Sequence, residues 1–369
     1  MTQHAIDDPA GAARALLEET LLRFRDPETG DFWEHQPPIP GDPTVAFLWP
    51  LSALLSAWIA VLRLDPDIDW TRLRDPAGDE SSLQGFSDLL DRIETYRDET
   101  RTPAAYQVQP TRLGPTERFY DDNAWLGLDF LRLWTLSGDP RTLARARDIA
   151  AFLLDGLSDE LGGGVYWCEQ TRDMKNTCSN APTALLLLRL AMETGETMYE
   201  QKALSILGWT KSALQAPDGL YFDHLTVDGR LDERRFAYNT GVMIQCSVCL
   251  YGNTLDRTLL VEAMRMADAA KSRFIRIRED GLPGYDRETA WFTAVFARAC
   301  LDLGRWTGDL SPVRFIGDDF RKNRYFGWRP DWLLDRAARI EGLALAALAS
   351  QVQADRTEHK ERFHDDDRA

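Results

Sequence analysis

Four evenly placed glycines limit what this chain can fold into more than any other feature. Gly138, Gly195, Gly252 and Gly308 lie 57, 57 and 56 residues apart, and each follows an apolar helical run, at 121–137, 179–194, 238–251 and 289–306. Glycine adopts the left-handed conformation at a helix C-terminus without steric penalty, so each predicts a helix end with the next helix starting at once. The run after each glycine is amphipathic or less sharply patterned. Residues 141–154 set Leu143, Ala146, Ile149 and Leu153 against Arg141, Arg145, Arg147 and Asp148, and 255–270 behave similarly. The run after Gly308 is the weakest. The repeating unit is a helical hairpin with a buried inner helix, a tight turn and an exposed outer helix.

The unit extends in both directions. Residues 46–64, almost wholly apolar apart from Ser52 and Ser56, pair with the amphipathic 82–98 across a longer turn. Residues 9–25 and 331–350 complete a sixth pair. Twelve helices in alternating inner and outer rings make an all-α (α/α)6 barrel. An open solenoid is the alternative, but solenoid repeats are usually shorter, about 34–47 residues. Residues 1–354 form one domain on this reading, followed by a charged, disordered tail at 355–369. No strand pattern is evident.

Composition mainly excludes. A net charge of −16 argues against nucleic acid or an anionic membrane as partner, since both require a basic face. The N-terminus lacks the basic and apolar regions of a signal peptide, and no run reaches the ~18 apolar residues of a membrane span. Five scattered cysteines, an odd number, fit buried thiols in a reducing compartment. Cys246 and Cys249 lie in an apolar helical run and read as core. Together these predict a cytoplasmic protein; the oligomeric state is open. A single histidine, His224, between residues 36 and 358 argues against a two-histidine proton shuttle and a histidine-rich zinc site. No Gly-rich phosphate loop is present. No metal or cofactor is expected.

The links between hairpins, roughly 99–120, 156–178, 215–237 and 274–288, are long and rich in aromatics and glycine, which marks them as functional. All must emerge where the inner helices begin. Tyr120-Asp121-Asp122-Asn123-Ala124-Trp125 lies at that same end. One carboxylate at a helix start is ordinary capping. Two adjacent ones raise each other's proton affinity, so one can stay protonated while the other ionises, as an acid/base or nucleophile/acid pair requires. A funnel of Trp, Tyr, Asp and Asn suits sugars: rings stack on C–H faces and side chains grip hydroxyls.

Four motifs in order, Tyr120 to Trp125, Gly163-Gly164-Val165-Tyr166-Trp167, Lys175-Asn176 with Ser179-Asn180-Ala181-Pro182, and Tyr238-Asn239-Thr240-Gly241, resemble glycoside hydrolase family 76, the endo-α-1,6-mannanases. The resemblance runs from about residue 10 to 350. It implies an (α/α)6 barrel, a retaining mechanism on a mannan-like oligo- or polysaccharide, Asp121 as nucleophile and Asp122 as general acid/base. It implies a later-loop carboxylate, best matched by Asp223. Asn123, Tyr166, Trp167 and Lys175, with Asn176, Asn180, Tyr238 and Asn239, become candidates for substrate contact. Lys175 and the asparagines could equally satisfy loop backbone, and Tyr238 and Trp167 could buttress rather than line the funnel. Trp49 and Trp125 read as packing, and Trp291 is undecided. Ala181 stands where the family usually has glycine, and Thr240 where it has glutamine. Another α-linked glycan, or a non-catalytic glycan-binding barrel, remains as an alternative.

Overall fold

A computed structural model describes residues 8–74, 82–278, 281, 283–285, 288–322 and 328–366. Among them run twelve α-helices: α1 (Pro9–Phe24), α2 (Leu48–Leu62), α3 (Ser82–Glu94), α4 (Tyr120–Ser137), α5 (Pro140–Asp155) and α6 (Thr177–Thr194), then α7 (Thr197–Leu214), α8 (Ala237–Thr254), α9 (Arg257–Phe274), α10 (Ala290–Thr307), α11 (Ser311–Arg321) and α12 (Leu333–Asp366). The even-numbered helices contact one another in the cycle α2, α4, α6, α8, α10, α12 and back to α2. The ring is therefore closed, and the odd-numbered helices pack outside it, α1 against α12 and the others against their hairpin partners. This is the expected (α/α)6 barrel. No helix among the described residues is long and apolar enough to cross a membrane.

Three of the four glycines act as read. Gly138, Gly195 and Gly308 take φ of 62°, 73° and 83° and return their N–H to Trp134, Ala191 and Gly304. The fourth does not. Gly252 stays inside α8, which ends instead at Leu255, with φ 57°. α12 also departs from expectation, continuing to Asp366 through the stretch read as a disordered tail. Residues 351–366 contain no proline or glycine, so nothing in the backbone interrupts the helix.

Seven short strands are present where the sequence reading found none. β1 (Arg97–Asp98) pairs β2 (Ala105–Tyr106); β3 (Met174–Asn176), β4 (Phe222–Thr226) and β5 (Leu231–Arg235) form an antiparallel sheet; and β6 (Ile275–Ile277) pairs β7 (Pro283–Tyr285). All lie in the links between hairpins, where pieces of two to five residues are too short for an alternating pattern to register. Only the β4–β5 hairpin had a readable signal, Asp228-Gly229, with Gly229 at φ 85°.

Buried side-chain amides tie these links to the barrel. Asn123, three residues into α4, accepts from the Tyr106 N–H at 2.9 Å and donates to the Tyr106 and Phe119 carbonyls, both at 2.8 Å. Asn180 does the same at the equivalent place in α6. It accepts from the Val165 N–H at 2.7 Å and donates to the Val165 and Asn176 carbonyls at 2.8 Å. Each amide substitutes for a strand neighbour, because a side-chain amide offers the same donor and acceptor as a peptide. Replacing Asn180 by alanine strands the buried Val165 N–H and leaves the Val165 carbonyl only the Ser179 hydroxyl at 3.3 Å, at about 1–3 kcal/mol for the unsatisfied group. The expected result is a melting temperature several degrees lower with the cavity-facing side chains untouched, read by thermal denaturation.

Candidate active site

The inner helices begin at one mouth of the barrel, around a cavity of about 620 Å3. Its lining comes from their first residues and from the links: Phe47 and Trp49 beside α2, Asp121, Asp122 and Trp125 on α4, Asn176 and Cys178 at α6, Phe236 and Tyr238 at α8, Trp291 and Phe292 on α10. In none of these five helices does the N-cap side chain make a capping hydrogen bond. The outer helices α1, α5 and α9, in contrast, are capped by Asp8, Asp139 and Asp256. Carboxylates from loops reach two of these ends instead, Glu34 accepting from the Phe47 N–H at 3.0 Å and Glu288 from the Ala237 N–H at 3.0 Å, while Asp121 and Asp122 lie in the first turn of α4, where the helix dipole favours negative charge.

Asp121 and Asp122 both sit in the first turn of α4. Their surroundings differ. The Asp121 Oδ2 accepts from the Trp167 indole N–H at 3.0 Å and from the Cys178 thiol at 3.3 Å. Its Oδ1 is buried with no hydrogen-bond partner among the described residues. Burial raises the Asp121 carboxyl above the usual range, while Trp167, Cys178 and two backbone N–H groups oppose that rise. Asp122 is raised much further, by burial and then by the neighbouring Asp121 charge. No hydrogen bond opposes it, so Asp122 is the one that keeps a proton.

Trp167 is aimed by its backbone. The Tyr120 N–H donates to the Trp167 carbonyl at 2.9 Å, and the Trp167 N–H to the Met174 carbonyl at 3.0 Å. Beneath it, the fully buried Arg118 pairs with Glu169, donates to the Pro103 carbonyl at 2.9 Å and lies 4.8 Å from the Phe152 ring centre. The turn before Trp167 needs glycine: Gly164 has φ 82°, and a Cβ there would lie 2.5 Å from the Trp209 ring.

The β3–β4 pairing sets Asn176 opposite His224 and brings Asp223 to the cavity. Asp223 accepts from His224 Nδ1 at 3.0 Å and from Arg234 at 3.5 Å. Asp223, His224 and Asp232 could geometrically share a metal ion, but His224 and Arg234 already occupy these carboxylates. Asn176 offers a buried Oδ1 with no partner among the described residues.

Of the residues nominated from sequence, Asp121, Asp122, Trp167, Asn176, Asp223 and Tyr238 line the cavity. Asn123, Tyr166, Lys175, Asn180 and Asn239 do not. Asn123 and Asn180 spend their amides on backbone, as above. Lys175 is completely buried, and its ammonium binds the carbonyls of Ser158, Glu160 and Gly163 at 2.9, 2.5 and 2.6 Å. Burial pushes it down to about 8. The Tyr166 hydroxyl binds Glu160 and Ser158, and its ring faces Lys175 at 4.7 Å. Asn239 is buried beside Tyr238 in sequence, with both amide atoms unpartnered among the described residues.

The structure also adds residues. Trp49 and Trp125, read as packing, line the cavity, each edge-on to Trp291, at 5.5 and 5.1 Å. Phe292 stacks on Tyr238 at 4.0 Å, and Phe236 and Arg234 complete that wall. Cys178 was read as one of the buried thiols, yet it touches Asp121. Only its place immediately before the predicted inner helix at 179–194 could have flagged it; the structure starts that helix at Thr177.

A family model described as glycosyl hydrolase family 76 matches residues 28–303. No curated protein matches the chain. Among solved structures, a glycoside hydrolase family 76 mannosidase from Bacteroides thetaiotaomicron has 23% identity and a TM-score of 0.76, over 93% of this chain and 99% of that one. An α-1,6-mannanase from Salegentibacter sp. has 23% identity and a TM-score of 0.71, over 94% and 100%. An inactive variant of that mannanase, with two adjacent aspartates changed to alanine, was solved with α-1,6-mannotetrose at 22% identity and a TM-score of 0.73, over 93% and 99%. The identities are low, and these likenesses speak to the fold. The family match covers most of the chain, and with the barrel and its paired acids already described, the chain belongs to glycosyl hydrolase family 76 and is a glycoside hydrolase.

Proposed function

We propose that the enzyme cleaves α-1,6-mannosidic linkages in mannan-type glycans with retention of configuration. One observation carries this: two adjacent carboxyls lining the cavity have unlike surroundings. Asp121 accepts from Trp167 and Cys178 and Asp122 lacks such donors among the described residues, which favours the charged form of Asp121 and the protonated form of Asp122. Asp121 is the nucleophile. Trp167 and Cys178 steady its charge through Oδ2, which leaves Oδ1 free to attack the anomeric carbon. Asp122 gives its proton to the departing glycosidic oxygen as the bond from Asp121 to C1 forms. Once the leaving sugar has gone, the Asp122 carboxylate takes a proton from water, which displaces Asp121 from C1. The inner-helix N-termini favour the ionised carboxylate in each step. The ring of Trp49, Trp125, Tyr238, Trp291 and Phe292 offers stacking faces, and Asn176 and Asp223 offer hydroxyl contacts. The mannotetrose complex of the Salegentibacter relative supports the substrate class, and its inactivation by loss of paired aspartates supports the roles.

Changing Asp121 or Asp122 to asparagine should lower turnover on α-1,6-mannan by about 10³-fold or more. Melting temperature should hold or rise, since a buried like-charge contact is relieved. A reducing-end assay beside a thermal melt reads both; a large stability loss with activity kept would return the pair to capping. The first-formed product should be the α-anomer by proton NMR. An oligosaccharide panel read by mass spectrometry tests the linkage against other α-linked glycans.

Trp167→Phe removes a hydrogen bond to the ionised form of Asp121. The Asp121 pKa therefore rises, and the acid limb of the kcat/KM profile should move to higher pH by about one unit, equivalent to ~1.4 kcal/mol.

A further inference from the structure

The opposite mouth of the barrel holds a second cavity, of about 420 Å3, reached by all six inner helices. In a chain of net charge −16 its walls carry five guanidinium groups, from Arg63, Arg132, Arg189, Arg298 and Arg305. Three of them are matched by acids. Arg132 binds Asp129 at 2.8 Å, Arg189 meets Asp302 at 3.4 Å, and Arg298 pairs with Glu341 at 2.7 Å. Glu193, also in the wall, accepts from the Trp134 indole at 3.1 Å.

Arg63 and Arg305 are different. Neither guanidinium has an ion pair or a hydrogen-bond acceptor among the described residues, although both line the cavity. Arg63, just past the end of α2, is only partly exposed. After burial, the strongest influence on its proton is the Arg305 charge; Asp302, also in the wall, opposes it, and Arg189 and Arg298 add to it. Arg132 is pushed down to about 10 by burial first, with Asp129 opposing and Arg298, Arg189 and Arg63 contributing. Helix C-termini explain arginines at this end as a set, since they complement the negative dipole ends. Free helix-end carbonyls also accept from guanidinium groups, but neither Arg63 nor Arg305 bonds to one among the described residues, which leaves their N–H donors to a ligand.

We propose that this cavity is an anion site, separate from the glycan cleft, in which a phosphate or carboxylate group is held between Arg63 and Arg305. Both anions present the paired oxygens that guanidinium groups bind bidentately.

The test is calorimetric titration of the full chain with inorganic phosphate and with citrate, at constant ionic strength with sodium chloride as reference. Binding by at least one probe, tenfold tighter than chloride, is expected, and which probe binds identifies the anion class. An R63Q/R305Q variant should bind it at least tenfold more weakly while cleaving α-1,6-mannan like the parent. Should the double variant fail to fold, Arg305→Gln alone, at an exposed position, should weaken binding at least threefold. No binding above chloride, or binding unchanged in the folded variant, overturns the proposal.

Discussion

Closure of the inner ring is the constraint on which everything else rests. Because α12 packs against both α2 and α10, six parallel helices must begin at one mouth and end at the other. Their turns to the outer helices then lie at the far end, short except between α2 and α3, and the links from one hairpin to the next lie at the near end. The chemistry-bearing loops are gathered without any of them having to find the others. The sequence distance between Asp121 and Tyr238 is spanned by two hairpins that the barrel simply sets side by side.

A polar layer inside that ring separates the two ends. Ser56 of α2 and Arg132 bind Asp129 of α4, Arg298 of α10 binds Glu341 of α12, and Gln245 of α8 reaches Asp302 of α10 at 2.7 Å. Buried ion pairs add little net stability, but removing one partner is expensive, so they favour a single register between neighbouring helices. The same ring presents helix N-termini to one cavity and C-termini to the other. The electrostatic contrast follows from chain direction: helix N-termini surround the paired aspartates, and arginines collect where the carbonyl ends emerge.

Burial governs how the paired acids behave. In water, adjacent aspartates would both ionise at neutral pH. Within the cavity, desolvation raises both, and only Asp121 has donors to offset it. Those donors come from elsewhere in the chain, Trp167 from a link and Cys178 from α6. Placing Trp167 uses a chain of supports that reaches Arg118 and Gly164, neither of which lines the cavity.

The sequence by itself determined the barrel and the place of the acids, because both are local. Helical periodicity, left-handed turns and a carboxylate pair at a helix start are written within a few residues of each other. Even the exception was local in kind: Leu255 adopts the left-handed turn three residues beyond Gly252. Tertiary structure alone decided which polar side chains face a ligand. Asn123 and Asn180 look like sugar contacts in sequence, as Asn176 does, but the backbones of Tyr106 and Val165, 17 and 15 residues earlier, claim their amides, while the Asn176 Oδ1 has no partner among the described residues. Lys175 is taken by three carbonyls, while Cys178, Arg234 and Phe292 enter the wall through packing between hairpins. A side chain's partner is set by whatever the fold brings within 3 Å of it, and no spacing along the chain encodes that.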